Sequence, residues 1–316
     1  MALMHIMDRN RGEIMESVCV LMSTYNGEKY LRTQLDSILA QIGNFNLLIH
    51  IRDDGSTDNT QSILQKYAQI YTNITWEQGN TNLGSTLSFM KLMYEAPKAN
   101  YYALADQDDY WMPEKIQKAI AHLEYNKVML YCSAKKIVDS KLHPLNRKDP
   151  EPEFNFSDIM LKKNMASGCT FVYTQAMASI IKKYPFSWRK GFHDSWLFKL
   201  AALFGNIYYD HEAYILYRQH STNVVGANDI SFMRRLHYFF TDADKKVIHA
   251  PTHYAQALLS VCRADLPKKE KQLLEDMVLG HNDWKRRIRL FFEADISCAR
   301  LWEYLWIKYK IIMGRF

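Results

Sequence analysis

Three aspartates stand within four positions in the segment ADQDDYW at 105–111. Carboxylates held this close repel one another, and a cation among them removes that repulsion. Mg²⁺ and Mn²⁺ take oxygen ligands in proteins and often share them with the phosphates of a substrate. Acidic clusters in loops are common without any metal, so their place directly after an apolar segment is the stronger indication. We therefore expect this segment to hold Mn²⁺ or Mg²⁺.

A second acidic segment, DDGSTD at 53–58, follows another apolar stretch. Gly55 favours a turn, and Ser56 or Thr57 is a typical N-cap for the helix that follows. Two carboxylates ahead of the glycine exceed what a turn requires. One of them can accept hydrogen bonds from a nucleoside base or its ribose, so a nucleoside contact and a plain helix cap both remain open.

Two further segments carry groups suited to catalysis. The segment HDSW at 193–196 begins an apolar helix, where Asp194 is either a general base beside an aromatic ring that supports a sugar or an N-terminal residue favoured by the helix dipole. The segment YRQH at 217–220 follows a strand, and its arginine and histidine suit a diphosphate and a metal. A histidine in such a place is also often structural.

The segments around these residues alternate between strand-like and helix-like patterns. Short apolar runs predict strands, and apolar residues at helical spacing predict the helices between them. The strands are expected over 17–23, 47–52, 74–77 and 101–105, and the helices over 28–41, 57–69 and 83–95. This alternation predicts an α/β fold, a mostly parallel sheet with helices on both faces. Ligands bind beyond the carboxyl ends of such strands, where the acidic segments stand.

The pattern is less regular after residue 128 and helical after residue 230. We expect a helix over 193–204, a loop with three prolines over 139–154, and strands over 128–132, 168–173, 206–210 and 214–220. The chain is therefore divided into an N-terminal extension (1–16), an α/β domain (17–228) and a small helical C-terminal domain (229–316).

The composition is that of a globular protein and argues against a disulfide-rich, zinc-ribbon or membrane-spanning chain. The chain has 316 residues, 48% of them hydrophobic and 23% charged, which is ordinary for a globular protein and leaves ample residues for a core. Its five cysteines include no C-x-x-C pair, which argues against a disulfide framework or a zinc ribbon and fits a reducing compartment. We see neither a signal peptide nor an apolar stretch of about 18 residues, and we expect a cytoplasmic protein.

The two glycine-containing loops argue against several nucleotide-binding classes. Neither YNG at 25–27 nor NLG at 82–84 forms a G-x-x-x-x-G-K-[ST] or G-x-G-x-x-G phosphate loop, as an ATPase, a kinase or an NAD enzyme would require. A nucleotidyltransferase of the same fold would need a glycine-rich basic loop in place of STYNGE. A non-catalytic carbohydrate-binding protein would need neither the acidic segment nor Asp194.

Positive charge gathers at the end of the chain. The net charge is +6, and from residue 229 onward 16 lysines and arginines stand against 11 aspartates and glutamates. The segments KRRIRLFF at 285–292 and LWEYLWIKYKIIMGRF at 301–316 mix these cations with large apolar and aromatic side chains. That mixture suits an anionic membrane surface, a contact between copies of the chain, or a helical bundle with solvated cations, and it fits nucleic acid poorly.

In this order the motifs resemble those of the inverting family 2 glycosyltransferases of the GT-A fold. The match runs over about 17–226 and consists of STYNGEKYL, QLDSILAQ, RDDGSTDNT, NLG, ADQDDYW, SGCT, HDSW and YRQHSTNVVG. The combination of DQDDYW, HDSW and YRQHSTN is most similar to bacterial rhamnosyltransferases of cell-wall and capsular polysaccharide synthesis.

The resemblance implies a nucleoside pocket, a metal site shared with the donor diphosphate, a catalytic base and a substrate pocket. The donor contacts would be Thr24, Tyr25, Asn26, Asp54, Gly84, Asp106 and Arg218. The metal ligands would be Asp106, Asp108 and His220. The substrate contacts would be Trp111, Gly168, His193 and Trp196, with Phe192 beside them. The family often has Glu-Asp where this chain has His193-Asp194, so the base is assigned to Asp194 alone.

The reaction implied is a single displacement at the anomeric carbon, with Asp194 taking the acceptor proton and a metal neutralising the diphosphate. We expect dTDP-L-rhamnose as donor, with a UDP-hexose or UDP-N-acetylhexosamine as the alternative. The acceptor would be a saccharide, lipid-linked at the cytoplasmic face of the plasma membrane. Processive members carry a Q-x-x-R-W motif that this chain lacks, so we expect it to add one or a few sugars.

Overall fold

Eight strands form one sheet in the computed structural model, which describes residues 15–147, 149–162, 165–186, 191–219, 250–297 and 301–315. The strands are β1 (Glu16–Thr24), β2 (Phe45–Asp53), β3 (Ile74–Gln78), β4 (Tyr101–Ala105), β5 (Tyr110–Trp111), β6 (Met129–Val138), β7 (Val172–Thr174) and β8 (Asn206–Arg218). Their order is β3-β2-β1-β4-β7-β6-β8-β5. β1 to β4 run parallel, as do β6 and β8, whereas β5 and β7 are antiparallel to their neighbours.

Helices cover the sheet and extend the chain beyond it. In the described residues they are α1 (Leu31–Leu39), α2 (Thr60–Ile70), α3 (Ser85–Glu95), α4 (Lys115–Ile120), α5 (Phe156–Leu161), α6 (Gln175–Lys183), α7 (His193–Phe204), α8 (Ala250–Cys262), α9 (Lys268–Leu279), α10 (Trp284–Glu293) and α11 (Leu301–Ile312). The predicted helix over 193–204 and the predicted strand over 101–105 match α7 and β4 at both ends.

β1 shows why the sheet is covered on both faces. Its side chains alternate, so Val18, Val20 and Met22 pack into one core while Cys19 and Leu21 pack into another. None of the five has exposed surface. The first core is completed by α1, α2 and α4, and the second by α3, α6, α7 and the helices after residue 250. The predicted α/β fold with helices on both faces is confirmed.

The carboxyl ends of three parallel strands meet at one edge of the sheet. Thr24 at the end of β1 pairs with Asp53 at the end of β2, and Ala105 at the end of β4 pairs with Met22. The two acidic segments and the loop after β1 follow these strand ends directly. They therefore come together in space, as the ligand-binding rule for parallel sheets predicts.

The middle of the chain departs most from the predicted elements. The strands predicted over 206–210 and 214–220 are replaced by one strand, β8, which ends at Arg218, and residue 220 lies outside the described residues. The irregular pairing of β8 with β6 accommodates the polar residues between the two predicted segments. The predicted strand over 168–173 is a 3₁₀ turn at Gly168–Thr170 followed by the short β7. Helices α4, α5 and α6 were not expected, because six to nine residues show too few turns for a clear apolar period.

α2 begins at Thr60, three residues later than predicted, and neither of the predicted capping residues caps it. The Ser56 hydroxyl donates to the Asp53 carboxylate, and the Thr57 N–H donates to Asn26 Oδ1 at 2.8 Å. These hydrogen bonds order the loop after β2 and join it to the loop after β1, so α2 begins only at Thr60.

The C-terminal helices share a core with one face of the sheet. Leu258, Leu274 and Met277 have no exposed surface and belong to the same cluster as Trp196. Tyr254 of α8 stacks on Phe186, which lies before α7, with the two ring centroids 5.9 Å apart. Because residue 229 lies outside the described residues, the boundary between 17–228 and 229–316 stays a prediction.

Two predictions from composition concern the whole chain: that it has no disulfide framework and that it has no membrane-spanning segment. Cys19, Cys132, Cys169 and Cys262 are buried free thiols, and Cys298 lies outside the described residues. Within the described parts of the chain, every helix falls short of the length and apolar content of a membrane span.

Candidate active site

Gln107 joins the acidic turn after β4 to the loop after β1. Its side-chain amide accepts from the Tyr25 N–H at 2.9 Å and donates to the Tyr25 carbonyl at 3.0 Å. A Cβ on Gly27 would stand 2.2 Å from Gln107 Oε1, so any larger residue there would displace the Gln107 amide from these two hydrogen bonds. The second residue of D-Q-D-D therefore fixes the loop predicted to hold the nucleoside, a role that the motif itself did not indicate.

Asn26 and Glu28 bind the loop after β1 to the loop after β2. The Asn26 N–H donates to Ser56 Oγ at 2.8 Å, and Asn26 Oδ1 accepts from the Thr57 N–H. Asn26 has a φ of +48°, in the left-handed region that asparagine tolerates better than most residues. Glu28 Oε2 accepts from the N–H and the amide of Asn59 at 3.0 and 2.8 Å. Asn26 thus orders the predicted donor site.

Thr24 and Asp53 support these loops from inside the protein. The Asp53 carboxylate is fully buried and accepts from the Ser56 N–H at 3.0 Å, from Gln61 Nε2 at 2.9 Å and from the Thr24 hydroxyl at 3.2 Å. Tyr25, the next residue along, leaves 47% of its surface exposed. Of these predicted nucleoside contacts, Tyr25 is open to a ligand, and Thr24 is a supporting residue.

Donors from the chain itself occupy the Asp54 carboxylate. Arg52 forms a buried ion pair with it, and the N–H groups of Leu83 and Gly84 donate to its two oxygens at 2.9 and 2.8 Å. Gly84 has a φ of +78°, which favours glycine, directly before α3. Asp54 and Gly84 therefore order the loop that leads into α3, and their contact with a nucleoside stays a prediction.

The acidic turn after β4 places its carboxylates in different surroundings. Asp106 and Asp108 are half-buried, whereas Asp109 is fully buried. Burial, followed by the charges of Asp108 and Asp194, raises the pKa of Asp106 to about 7, against the opposing charge of Lys135. A nearby cation would stabilise the charged form of Asp106, so the turn is well suited to hold one.

Arg218 has a structural role in place of the predicted contact with the diphosphate. Only 3% of its surface is exposed, because its Nε donates to the Asp108 carbonyl at 2.7 Å and its Nη1 to the Ser140 carbonyl at 2.6 Å. Its backbone N–H donates to Asp109 Oδ1 at 3.0 Å, and its guanidinium stands 4.4 Å over the Tyr30 ring. The end of β8 therefore holds the acidic turn in place.

Asp194 lies in the first turn of α7, beside Gly168. Its Oδ1 accepts from the Ser195 N–H at 2.6 Å, and its Oδ2 accepts from the Gly168 N–H at 3.3 Å. A Cβ on Gly168 would stand 3.0 Å from Asp194 Cβ and 3.2 Å from His193 Nε2, so glycine permits this close approach. Cys169, the residue after Gly168, has its sulfur within 4.8 Å of the Asp106 carboxylate, so Asp106 and Asp194 belong to one site.

Lys199 and Tyr254 support the start of α7 from behind Asp194. The buried Lys199 ammonium donates to Ser195 Oγ at 2.8 Å and stands 4.3 Å over the Tyr254 ring. Burial lowers the pKa of Lys199 to about 7, and the charge of Asp194 opposes that shift. Tyr254 Oη accepts from the Phe192 N–H at 2.7 Å, across 62 residues of sequence. No motif indicated this support.

Lys135 of β6 is a further cation near the acidic turn. Its charge lowers the pKa of Asp106 against the effect of burial. The ammonium lies 3.2 Å from Asp149 Oδ1 and hydrogen-bonds to Ser167 Oγ. Lys135 lies beyond the strand predicted over 128–132, because β6 continues to Val138, and no motif in the sequence indicated its role. Lys135 is a candidate contact for a donor phosphate.

Trp111 and Trp196 belong to the core, so their predicted roles as substrate contacts are wrong. They expose 1% and 0% of their surface, and a fully buried ring offers no face to a sugar. Trp196 Nε1 donates to the Tyr184 carbonyl at 3.1 Å, and the ammonium of Lys115 stands 3.9 Å from the Trp111 ring centroid. Phe192 exposes 45% of its surface and remains a candidate sugar contact.

His193 is 8% exposed and stacks on Phe89, with the ring centroids 4.2 Å apart. Burial lowers the pKa of the imidazole, which favours its neutral form. Its Nδ1 has no hydrogen-bond partner among the described residues. Contact between His193 and an acceptor stays a prediction.

Asp106, Asp109 and Cys169 bring their ligand atoms within 4.8 Å of one another. Burial raises the pKa of the Cys169 thiol well above its usual range, which favours the neutral thiol. Mg²⁺ and Mn²⁺ prefer oxygen to sulfur, so Asp106 with Asp108 fits them better than this cluster does. His220, the third predicted ligand, lies outside the described residues.

The sheet topology, with the acidic turn at its carboxyl edge, is that of the GT-A fold, and solved structures agree. Staphylococcus aureus TarS 1–349 in complex with UDP-GlcNAc has a TM-score of 0.60 and 18% identity, over 95% of this chain and 81% of that chain. Mannosyltransferase PcManGT from Pyrobaculum calidifontis, in complex with GDP-Man and Mn²⁺, has a TM-score of 0.50 and 15% identity, over 96% of this chain and 85% of that chain. At these identities the likeness establishes the fold.

Residues 19–184 match Glycosyl transferase family 2, and the chain belongs to this family. It is 30% identical over 223 residues to the dTDP-rhamnosyl transferase RfbG of Shigella flexneri, which is 67% of this chain and 75% of that protein. It is also 30% identical over 213 residues to the uncharacterized glycosyltransferase RP339 of Rickettsia prowazekii, 65% of this chain and 64% of that protein.

Proposed function

We propose that this glycosyltransferase inverts the anomeric centre of a nucleotide-sugar donor by single displacement, with Asp194 as its base. One observation carries the proposal: Asp194 accepts from the Gly168 N–H, and the next residue, Cys169, has its sulfur within 4.8 Å of the Asp106 carboxylate, so the candidate base and the acidic donor motif belong to one site. A base on the acceptor side and a phosphate-binding motif on the donor side are what an in-line displacement needs.

Asp106 and Asp108 would hold a divalent cation together with the donor diphosphate. Both offer oxygen ligands, and the pKa of Asp106 is raised by burial and then by the charges of Asp108 and Asp194, effects that a bound cation would oppose. Manganese is present in the mannosyltransferase structure that shares the fold, which supports a metal of this kind. When bound, the ion would supply positive charge at the departing diphosphate. Lys135 would add a further positive charge from β6.

Asp194 accepts the proton of the acceptor hydroxyl while that oxygen bonds to the anomeric carbon. The bond between this carbon and the diphosphate oxygen breaks, and the nucleoside diphosphate leaves with the electron pair. Attack from the opposite face inverts the configuration, and no covalent enzyme intermediate forms. The N–H groups of Ser195 and Gly168 hold the two carboxylate oxygens of Asp194 in position for this proton transfer.

The proposed donor is dTDP-L-rhamnose. Its support is the 30% identity to a protein named dTDP-rhamnosyl transferase, over three quarters of that relative. The exposed ring of Phe192, two residues before the base, offers an apolar surface for the methyl group of a deoxysugar. Since an apolar pocket rejects an added hydroxyl by only about 10²-fold, a UDP-hexose or UDP-N-acetylhexosamine is the alternative donor.

The proposed acceptor is a hydroxyl of a saccharide used in cell-surface polysaccharide synthesis, lipid-linked at the cytoplasmic face of a bacterial membrane. Its support is the basic and aromatic composition of the last quarter of the chain.

Thermal protection identifies the donor. We expect dTDP-L-rhamnose with Mn²⁺ or Mg²⁺ to raise the melting temperature more than UDP-glucose, UDP-galactose or UDP-GlcNAc does. Protection by UDP-sugars alone would contradict the rhamnosyl donor and leave glycosyl transfer standing.

The Asp194→Asn variant tests the base. We expect transfer to fall by about 10²–10⁴-fold, the usual contribution of a general base, while donor binding is retained. Asp295→Asn, a change of the same kind at an exposed position outside the site, is the matched control and should leave transfer unchanged. An Asp194→Asn enzyme with the wild-type transfer rate would show that another residue is the base.

A further inference from the structure

α10 exposes the apolar side chains that a helix of a globular protein normally buries. Trp284, Ile288 and Phe292 stand four residues apart, on one face of the helix, and expose 60%, 45% and 76% of their surface. Among the ten residues of α10, only Leu290 is buried. An exposed apolar stripe of this kind marks a contact with another apolar phase.

α11, which follows α10 and packs against it, exposes a second set of apolar side chains. Leu301, Trp302, Leu305 and Ile312 expose between 51% and 74% of their surface. The two helices pack together, and Arg287 of α10 donates to the Ile312 carbonyl of α11 at 2.8 Å. The exposed apolar side chains of α10 and α11 are together called the C-terminal surface below.

Cations accompany the C-terminal surface. Lys285 and Arg289 directly follow Trp284 and Ile288, and Lys310 lies in the last turn of α11. Over residues 281–316, eight lysines and arginines stand against four aspartates and glutamates. This excess attracts anionic groups, and it disfavours pairing with a second copy, because like charges would then face one another.

The aromatic side chains indicate which anionic partner the surface fits. Trp284, Trp302, Tyr304 and Tyr309 each expose at least 36% of their surface. Indole and phenol rings combine an apolar body with a polar edge, and they prefer the boundary between lipid tails and headgroups. We infer that the C-terminal surface docks on a bilayer of anionic lipids, with its apolar side chains among the headgroups and its cations on their phosphates.

Vesicle co-sedimentation of the full chain tests this inference. We expect binding to phosphatidylglycerol-containing vesicles, weaker binding to phosphatidylcholine alone, and release as salt is raised. The pair Trp284→Ser and Phe292→Ser should weaken binding by at least about tenfold, since each removes a large apolar side chain from the contact. The pair Lys285→Glu and Lys310→Glu should also weaken it by at least about tenfold, and only on the anionic vesicles.

Ile70→Ser is the matched control, because Ile70 of α2 is 69% exposed but lies outside the C-terminal surface. It should bind vesicles like the wild type. Equal binding to neutral and anionic vesicles, or unchanged binding by both variant pairs, would overturn the inference. A wild-type dimer that the Trp284 and Phe292 changes dissociate, without vesicle binding, would make the surface a contact between copies and would also overturn it.

The inference is separable from the proposed function. Donor protection and transfer to a soluble saccharide should be the same in all of these variants, because none of the changed residues lies at the acidic turn or beside Asp194. If the protein binds vesicles but no nucleotide sugar protects it against heat, the proposed donor is contradicted and the docking surface is still supported.

Discussion

At the residue scale, the site is defined by carboxylates that the protein holds under repulsion. Asp106 is half-buried beside Asp108 and within the field of Asp194, and its pKa rises to about 7 as a result. The positive charge of Lys135, from β6, opposes this rise in pKa, and a metal ion bound with the donor diphosphate would oppose it as well. The cost of gathering these charges is a stability term that depends on pH and on metal.

The Asp106→Asn variant measures this contribution of Asp106 to stability and its dependence on pH. The folded protein keeps a proton on Asp106 that the unfolded chain releases between about pH 4 and pH 7, so this residue makes stability fall as pH rises through that window. In chelator, we expect wild type and variant to differ little near pH 4 and the variant to melt higher at pH 8. The measurement is the difference in melting temperature across that range.

Added Mn²⁺ is the control for this prediction. It should raise the melting temperature of the wild type at pH 8 and do so far less in the variant, because a ligand has been removed. Parallel pH curves for the two proteins in chelator would show that Asp106 is not under repulsion.

At the element scale, the start of α7 is held by a helix from beyond the family match. Residues 19–184 match the family, yet Asp194 lies after them and Tyr254 of α8 fixes the residue before α7 through its N–H. Helix α8 therefore takes part in forming the site, although no motif in it resembles a catalytic one.

The Tyr254→Phe variant removes only the hydroxyl of this contact. The ring remains to pack against Lys199, while the Phe192 N–H loses its acceptor. We expect stability to fall by about 1 kcal/mol, as for one hydrogen bond, and transfer to fall several-fold with donor affinity unchanged. Steady-state rates and donor binding measured on the same preparation check this.

Tyr184→Phe is the matched control. The Tyr184 hydroxyl also binds the C-terminal region, donating to Asp265 between α8 and α9 at 2.6 Å. Its removal leaves in place the hydrogen bond from Trp196 of α7 to the Tyr184 carbonyl. This variant should lose similar stability and keep the wild-type transfer rate. If both variants lost transfer equally, the effect of Tyr254 would be on folding alone.

At the scale of the whole molecule, the C-terminal helices complete one of the two cores. Leu258, Leu274 and Met277 are buried in the cluster that contains Trp196 and Phe198 of α7. Removing these helices would expose the apolar side of the helix that carries the candidate base. The C-terminal surface faces away from this shared core, which allows one region to serve both packing and docking.

Deleting residues 250–316 should therefore leave a chain that aggregates or melts far below the full protein, since exposing several large core side chains removes several kcal/mol. The full chain should unfold in one calorimetric transition. Two well-separated transitions, or a truncated chain as stable as the intact one, would instead support an independent domain after residue 229.

Local patterns predicted β1 to β4 and α1 to α3 in the first half of the chain, and α7 in the second. β1, β4 and α7 were predictable because apolar runs and helical spacing depend on near neighbours in sequence. The acidic turn, the loops after β1 and β2, and Asp194 were indicated by residue type and order. The parallel topology then determined that the strand ends would meet.

The roles within that site were decided by tertiary contacts. Trp111 and Trp196 were predicted to face a sugar and are buried, and Arg218 was predicted to bind a diphosphate and holds the acidic turn. Lys135 and Tyr254 reach the site from distant parts of the chain.

The sequence by itself determined which chemical groups stand at the ends of the strands, and from them the family and the class of reaction. The tertiary structure alone decided which of those groups are open to a ligand and which support it. The physical reason is that burial, hydrogen bonding and pKa depend on every group packed around a side chain, and most of those groups are far away in sequence.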